Sequence, residues 1–432
     1  MDYQKVNRTI FEKVAIIRLV VLSVFGLIML ISHLVLAPEL ITALVASIFM
    51  VLVPILIGHD LLTFGKKHFV TMFHNLDTIS RLIIFWTIGS LFIYHLTIFS
   101  AALKFDFIVV VLTTLIVLVA GSLRENLSFK GIKLQDFLRP QETFKDGERV
   151  YPEKLLVVKK KPLISFESKS VNLILVFIII AIGISATLYF RIYEPFPTFQ
   201  TSEFPHFGKA LQIIDSLGNL VIAEKSYFQV MYTNQALASF LFNVHPLPII
   251  WVAAFLQSLV VGVGIFAIGM LLFKRTIPSL VAAFLSLWIF GGSPVQNNPY
   301  VFSPGSLSSM YFILTLYLIT KNFREWSIHF NKKNLIITAL VCLVFPALIF
   351  IQRLLIGSDS VIATLFVPLL PFAFIIFNRD KLIYGGKFQF ATILLTAFTF
   401  LVMLHTFNAP LYIALSITYI ILLKLLMKGA KT

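Results

Sequence analysis

Glu203, His206 and Lys209 lie within one short run, EFPHFGK, inside the polar stretch at residues 191–246. A carboxylate, an imidazole and an ammonium exchange protons and hold anions, and this stretch is the chain's one long polar interruption on what the charge pattern makes the outer side. Three further groups stand at the margins of apolar runs: Asn297 and Tyr300 in GGSPVQNNPYVFSPG, and Arg353 in FIQRLLIGSDS. Everything else that could position them is apolar.

The chain is 58% hydrophobic and only 13% charged, with a mean hydropathy of +0.93. Soluble domains run at roughly 45–50% apolar and about 25% charged. Apolar runs near 20 residues recur, the length that crosses a hydrocarbon core of about 30 Å as a helix. The short alternating runs of a membrane barrel are missing, so helices are the spanning element. The fold class expected is therefore all-α: a polytopic transmembrane bundle of about twelve spans. They fall near residues 14–36, 40–58, 82–101, 107–121, 171–190, 248–273, 277–292, 305–320, 334–352, 361–377, 388–404 and 410–427. The first run is too long for the core of a signal peptide and has no small-residue cleavage site, so it reads as a span. Cys342, the single cysteine, sits in an apolar run and reads as a small hydrophobe.

Charge orients the spans. With the N-terminus cytoplasmic, 30 of the 35 Lys and Arg fall inside, leaving Lys104, Arg191, Lys209, Lys225 and Arg353 outside. The acids split 13 to 7, so the inner face carries +17 and the outer face −2. That bias follows the positive-inside rule and puts both termini in the cytoplasm. The net +15 is thus a topology signal, and basic residues spread over separate cytoplasmic segments argue against a nucleic-acid partner. Three parts follow: a four-span unit at 1–121, a basic cytoplasmic loop at 122–170, and an eight-span unit at 171–432 with its outer loop at 191–247. The basic loop holds 11 of the 35 cations, including Lys159, Lys160 and Lys161, and suits anionic headgroups or a protein partner, as do spans one to four.

Within the outer loop, Phe207, Ala210, Leu211, Ile213, Ile214 and Leu217 recur at helical spacing, opposite Lys209, Gln212, Asp215 and Ser216. Pro205 suits the first turn, and Gly218 supplies a stop. Such an amphipathic helix beside a membrane lies in the interface plane. Glu203 stands just before its start, where the helix dipole favours an anion.

This order resembles the GT-C superfamily of integral-membrane glycosyltransferases. The resemblance rests on a span followed by an acid (Glu203), a helix with Ala210, Ile213, Ile214 and Gly218, a stretch with Tyr227 and Tyr232, and the next span. It continues through the basic turn LLFKRTIPSLVAAF and a second loop that opens span eight at Pro304, covering residues 171–325. The resemblance implies transfer of a sugar from a polyprenyl-phosphate carrier to an acceptor glycan, lipid or protein, on the outer face of a bacterial inner membrane. It implies Glu203 as general base, Arg353 as the partner of the leaving phosphate with His206 and Lys209 assisting, and Tyr300, Asn297 and Asn298 about the sugar. Many members carry two neighbouring acids, but Glu203 has no acid beside it, so no metal or other cofactor is expected.

Each residue also has a plainer role. Glu203 steadies a helix N-terminus, Arg353 anchors a helix end at the interface, Tyr300 belongs to an aromatic belt, and His206 is an interfacial polar group. Two other functions compete with the transferase: a transporter or lipid flippase, and a non-catalytic scaffold with a transferase-like body.

Overall fold

The computed structural model describes residues 18, 22–34, 39–64, 76–138, 181, 204–220, 230–291, 302–328, 332–354, 361–386 and 388–429. Among these residues 91% are helical and none is in a strand, so the fold is all-α. The helices are α1 (Leu22–Leu34), α2 (Glu39–Thr63), α3 (Thr78–Ala102), α4 (Phe107–Leu138), α5 (Phe204–Ser216), α6 (Val230–Phe242), α7 (Pro246–Phe273), α8 (Thr276–Gly291), α9 (Pro304–Ile328), α10 (Lys332–Leu354), α11 (Val361–Phe377), α12 (Arg379–Tyr384), α13 (Gln389–Leu404) and α14 (Ala409–Gly429). Four stretches are long and apolar enough to cross a membrane: Ile41–Thr63, Thr78–Ala102, Pro246–Phe273 and Leu335–Arg353. The outward surface of the helices is apolar too, with Ile41, Ile116, Ile277, Leu340 and Leu411 all largely exposed, while Ser90, Thr233 and Gln235 are buried. That inversion of the usual pattern is what a lipid solvent demands, and the protein is a helical membrane protein.

Most of the apolar runs of the sequence overlap these helices; of 14–36 only residues 18 and 22–34 are described, and of 171–190 only residue 181. Ends are set by local chemistry. Asp77 caps α3, its carboxylate accepting from the Ser80 backbone N–H. His245 accepts from the Leu247 N–H at the start of α7, with Pro246 in the first turn. Lys274 closes α7 in the left-handed conformation, its N–H bonded to the Met270 carbonyl.

α3 is the central helix: 72% of its apolar window is buried within the protein, against 28% for that of α10. It packs against α2, α4, α6, α9, α11 and α13. Against α2 the two backbones touch. A Cβ added at Gly58 would fall on the Phe85 carbonyl, and one at Gly89 on the Pro54 carbonyl. The pairs 58–85 and 54–89 run in opposite senses, so α2 and α3 are antiparallel. On the other side, Tyr311 of α9 meets the Thr87 hydroxyl and Tyr317 donates to Asp77, which also makes α9 antiparallel to α3. α10 and α13 run parallel to each other, since Cys342 reaches the Ala391 carbonyl and Arg353 the Val402 carbonyl at the same offset of 49.

α6 is the unexpected element. The sequence reading passes over it as part of the outer loop, yet nearly all its residues are buried. Thirteen residues extend about 20 Å, too little for a crossing of about 30 Å. The Asn234 amide nonetheless donates to Ser90 at 3.0 Å. Ser90 lies twelve residues from either end of α3, about 18 Å from each. Four residues after Phe242 ends α6, Pro246 starts α7, so α6 runs from the mid-depth of the bundle to the α7 start.

The glycine contacts make a direct test. In Gly89→Ala the new methyl meets backbone rather than a side chain that could turn away, and overpacking of this kind costs about 1–3 kcal/mol. Thermal unfolding in detergent should show a lowered midpoint. Gly26→Ala, where an added Cβ meets nothing within 4 Å, should leave it unchanged.

Candidate functional site

Arg353 occupies the last turn of α10, and its fork is turned onto the neighbouring helices. It donates to the Tyr94 hydroxyl of α3 at 3.3 Å and to the Thr406 hydroxyl, just beyond α13, at 3.1 Å. The Val402 carbonyl lies at 3.4 Å and the Met403 sulfur at 3.6 Å. A guanidinium presents five donors in one plane, which is how one side chain ties three helices. The carbonyls at the end of α13 carry the negative end of its dipole, so a cation is favoured there. The charge also reaches His405, the residue that closes α13. Burial first, and the nearby Arg353 charge second, hold the His405 imidazole below the ordinary value of 6.5. Its Nδ1 accepts from the Asn408 N–H, which fixes the neutral tautomer.

α5 forms where its periodicity predicts. Ala210, Ile213 and Leu217 are fully buried, and Gln212 and Asp215 are exposed. The apolar face packs on α6, α7 and α4. After Ser216 the chain tightens into a 3-10 turn, Leu217–Asn219, that packs on α3. A Cβ at Gly218 would come within 2.8 Å of the Lys104 carbonyl, so the stop at Gly218 is also a close approach. Lys209 points into the seam between α5 and α6, its ammonium 5.5 Å from the centre of the buried Tyr232 ring. That cation–π contact is worth about 0.5–1 kcal/mol at such a site. Burial holds the Lys209 ammonium below the ordinary lysine range.

The residues proposed from sequence are thus reached unequally. α5 and Arg353 belong to the same end of the bundle: the turn after α5 sits beside Lys104, just past the end of α3, and Arg353 meets Tyr94 in the last third of that helix. Lys209 is engaged with Tyr232. His206 lies in the first turn of α5. Glu203, Asn297, Asn298 and Tyr300 lie outside the described residues. Ser303, next to that second loop, caps α9 through its hydroxyl, which accepts from the Ser306 N–H, and α9 begins at Pro304.

Two polar clusters escaped the sequence reading. Arg18 makes a two-pronged ion pair with Asp60, at 2.8 and 2.6 Å, and its Nε donates to Ser122 of α4 at 3.1 Å. Both side chains are under a tenth exposed. A Cβ at Gly121 would fall on the Asp60 carboxylate, so glycine makes room for the pair. The visible signal was an Arg in VAIIRLVVL and an Asp in ILIGHDLLT, opposite charges inside apolar runs. The second cluster is the run Thr233, Asn234, Gln235, buried on α6, which reads in sequence as loop. Among the described residues no three His, Cys, Asp or Glu side chains gather as a metal site.

These contacts carry measurable consequences. His405 is favoured neutral in the folded protein, so the unfolded chain binds more protons as pH falls below about 6.5. Stability should therefore drop with acidification from there toward the depressed folded value, and His405→Asn should flatten that part of the pH profile of the thermal midpoint. Asp60→Asn leaves Arg18 buried without its carboxylate, at a cost of about 3–5 kcal/mol, and should lower the midpoint at all pH values where Asp60 is charged. For the chain as a whole, no family model, no curated protein and no solved structure matches, so these residues are assigned by their chemistry and positions alone.

Proposed function

We propose that this protein is a membrane glycosyltransferase of the GT-C type, moving a sugar from a polyprenyl-phosphate carrier to an acceptor on the outer face of a bacterial inner membrane. The reading includes twelve spans with both termini cytoplasmic. The observation that carries it is the pairing of α5 with Arg353. An amphipathic helix that starts directly after Glu203 lies at the same end of the bundle as a guanidinium held by three helices.

In this reading the Glu203 carboxylate takes the proton of the acceptor hydroxyl. The acceptor oxygen attacks the anomeric carbon, and the bond from that carbon to the lipid phosphate breaks. The phosphate departs with the electron pair toward Arg353, whose fork matches two phosphate oxygens. Preorganised charge at the leaving group is the larger contribution in such reactions, and general-base help adds about 10²–10⁴-fold. Lys209 and His206 add positive character along α5, while Tyr300 and Asn297 contact the sugar. No metal or other cofactor is invoked. Partners are the carrier lipid, the acceptor, and a protein bound at spans one to four or at 122–170.

A second reading, a non-catalytic scaffold with the same body, is favoured by one observation. The Arg353 donors are spent on Tyr94, Thr406, Val402 and Met403, a set that serves helix packing.

The two separate on one experiment. Membranes containing Glu203→Gln should transfer a radiolabelled polyprenyl-linked sugar about 10²–10⁴-fold more slowly than wild type if Glu203 is the base, with the thermal midpoint unchanged. Transfer at the wild-type rate would remove Glu203 from catalysis. Arg353→Lys keeps the charge but loses the fork, so it should slow transfer more than it lowers the midpoint. A scaffold would show the reverse.

A further inference from the structure

The polar groups on α6 sit against a particular face of α3. Trp86, Ser90 and Tyr94 recur at i, i+4 and i+8, which puts them on one face of that helix. At the centre of the row Asn234 donates its amide N–H to the Ser90 hydroxyl at 3.0 Å, and its other end, Oδ1, has no hydrogen-bond partner. One turn away, the Trp86 indole N–H is also buried without a partner. The neighbouring Gln235 donates to the Pro246 carbonyl at 3.2 Å and likewise leaves its Oε1 unmatched. Across the seam, α13 supplies the Phe400 ring, 5.2 Å from that of Trp86, and next to it Thr399, whose buried hydroxyl is a fourth unmatched group. Asn234, Gln235 and Thr399 are all 5% exposed or less, and Trp86 is 9% exposed.

Trp86 lies one turn from the Ser90 that Asn234 meets, and unmatched groups so placed are informative because each costs about 1–3 kcal/mol when left unmade, and lipid offers no water to relieve them. Their chemistry defines the missing partner. An indole N–H can only donate, the two amide oxygens can only accept, and the threonine hydroxyl does both. A partner between Trp86 and Asn234 must accept one hydrogen bond and donate one, as a hydroxyl group does and as an ammonium, which only donates, or a fully ionised phosphate, which only accepts, does not. The side chains named carry no charge, which matches a neutral partner.

We propose that the seam between α3, α6 and α13, at the mid-depth of the bundle, is a binding site for a neutral hydroxyl group bridged from the Trp86 indole N–H to Asn234 Oδ1. Water and the hydroxyl of a polyol share this chemistry. Tyr94 continues the same face of α3 toward Arg353, so the row runs from the bundle's centre to the end where α5 lies. The site stands apart from the glycosyltransferase reading and holds whether or not Glu203 is a base.

Radiolytic hydroxyl footprinting of the full chain in phosphatidylcholine nanodiscs, with no polyol present, tests it, because radicals formed from a bound water oxidise side chains that bulk water does not reach. Phe242, buried among the Phe25 and Phe49 rings, is the internal control. Corrected for intrinsic reactivity, Trp86 should label faster than Phe242, as befits a side chain against a bound water. Equal rates would overturn the site. Repeating the measurement in glycerol, with the exposed Phe377 correcting for radical scavenging, distinguishes the occupants. A fall at Trp86 means a polyol hydroxyl enters, and an unchanged rate means water alone. Asn234→Leu should abolish the excess labelling at Trp86, and Ser90→Ala, a smaller change, should reduce it. Excess labelling that survives in folded Asn234→Leu protein would remove Asn234 from the site.

Discussion

The contact on which the bundle depends is made by two backbones. In lipid, apolar side chains gain little by leaving the solvent for one another, so helices associate through close packing and interhelical hydrogen bonds. α2 and α3 approach until Gly58 lies on the Phe85 carbonyl and Gly89 on the Pro54 carbonyl. Pro54 stands inside α2 without an N–H of its own, which locally loosens that helix where α3 meets it. With α2 held on one side, the remaining faces of α3 are free to take α6, α9, α11 and α13, which is why it is the most buried of the long helices.

Polar contacts then set the register along α3, with neighbours in sequence from end to end. Asp77 is bonded by Tyr317, Thr87 by Tyr311, Ser90 by Asn234 and Tyr94 by Arg353. Bonds of this kind in membrane bundles average about 0.6 kcal/mol, because the separated helices also find partners. Their sum is modest. Their effect on specificity is larger, because sliding α3 by one turn would leave several of these groups unmatched at once.

The parts of the fold that sequence reveals are those governed by local spacing. Apolar length finds the helices, and the 3.6-residue period finds α5 with the correct buried face, Ala210, Ile213 and Leu217. Gly218 and Pro304 mark a stop and a start for reasons of backbone chemistry that hold wherever the segment packs. α6 was hidden because Thr233, Asn234 and Gln235 look like loop unless their burial against Ser90 is known, and that contact spans 144 residues. The Arg18–Asp60 pair was hidden for the same reason at a separation of 42. Of the proposed site, Arg353 was legible as a cation at a helix end, but its partners on α3 and α13 come only from tertiary packing.

That buried pair has a bearing on how the chain is built into the membrane. Arg18 precedes α1 and Asp60 lies near the end of α2, so each charge enters the bilayer on a different segment. A lone Arg or Asp at the centre of a helix opposes insertion by about 2.5–3.5 kcal/mol, and less toward the interface. The penalty on the first segment is relieved only once the second has arrived to meet it. The two segments therefore depend on one another for a stable place in an apolar solvent, and Ser122 on α4 adds a third contact to the pair.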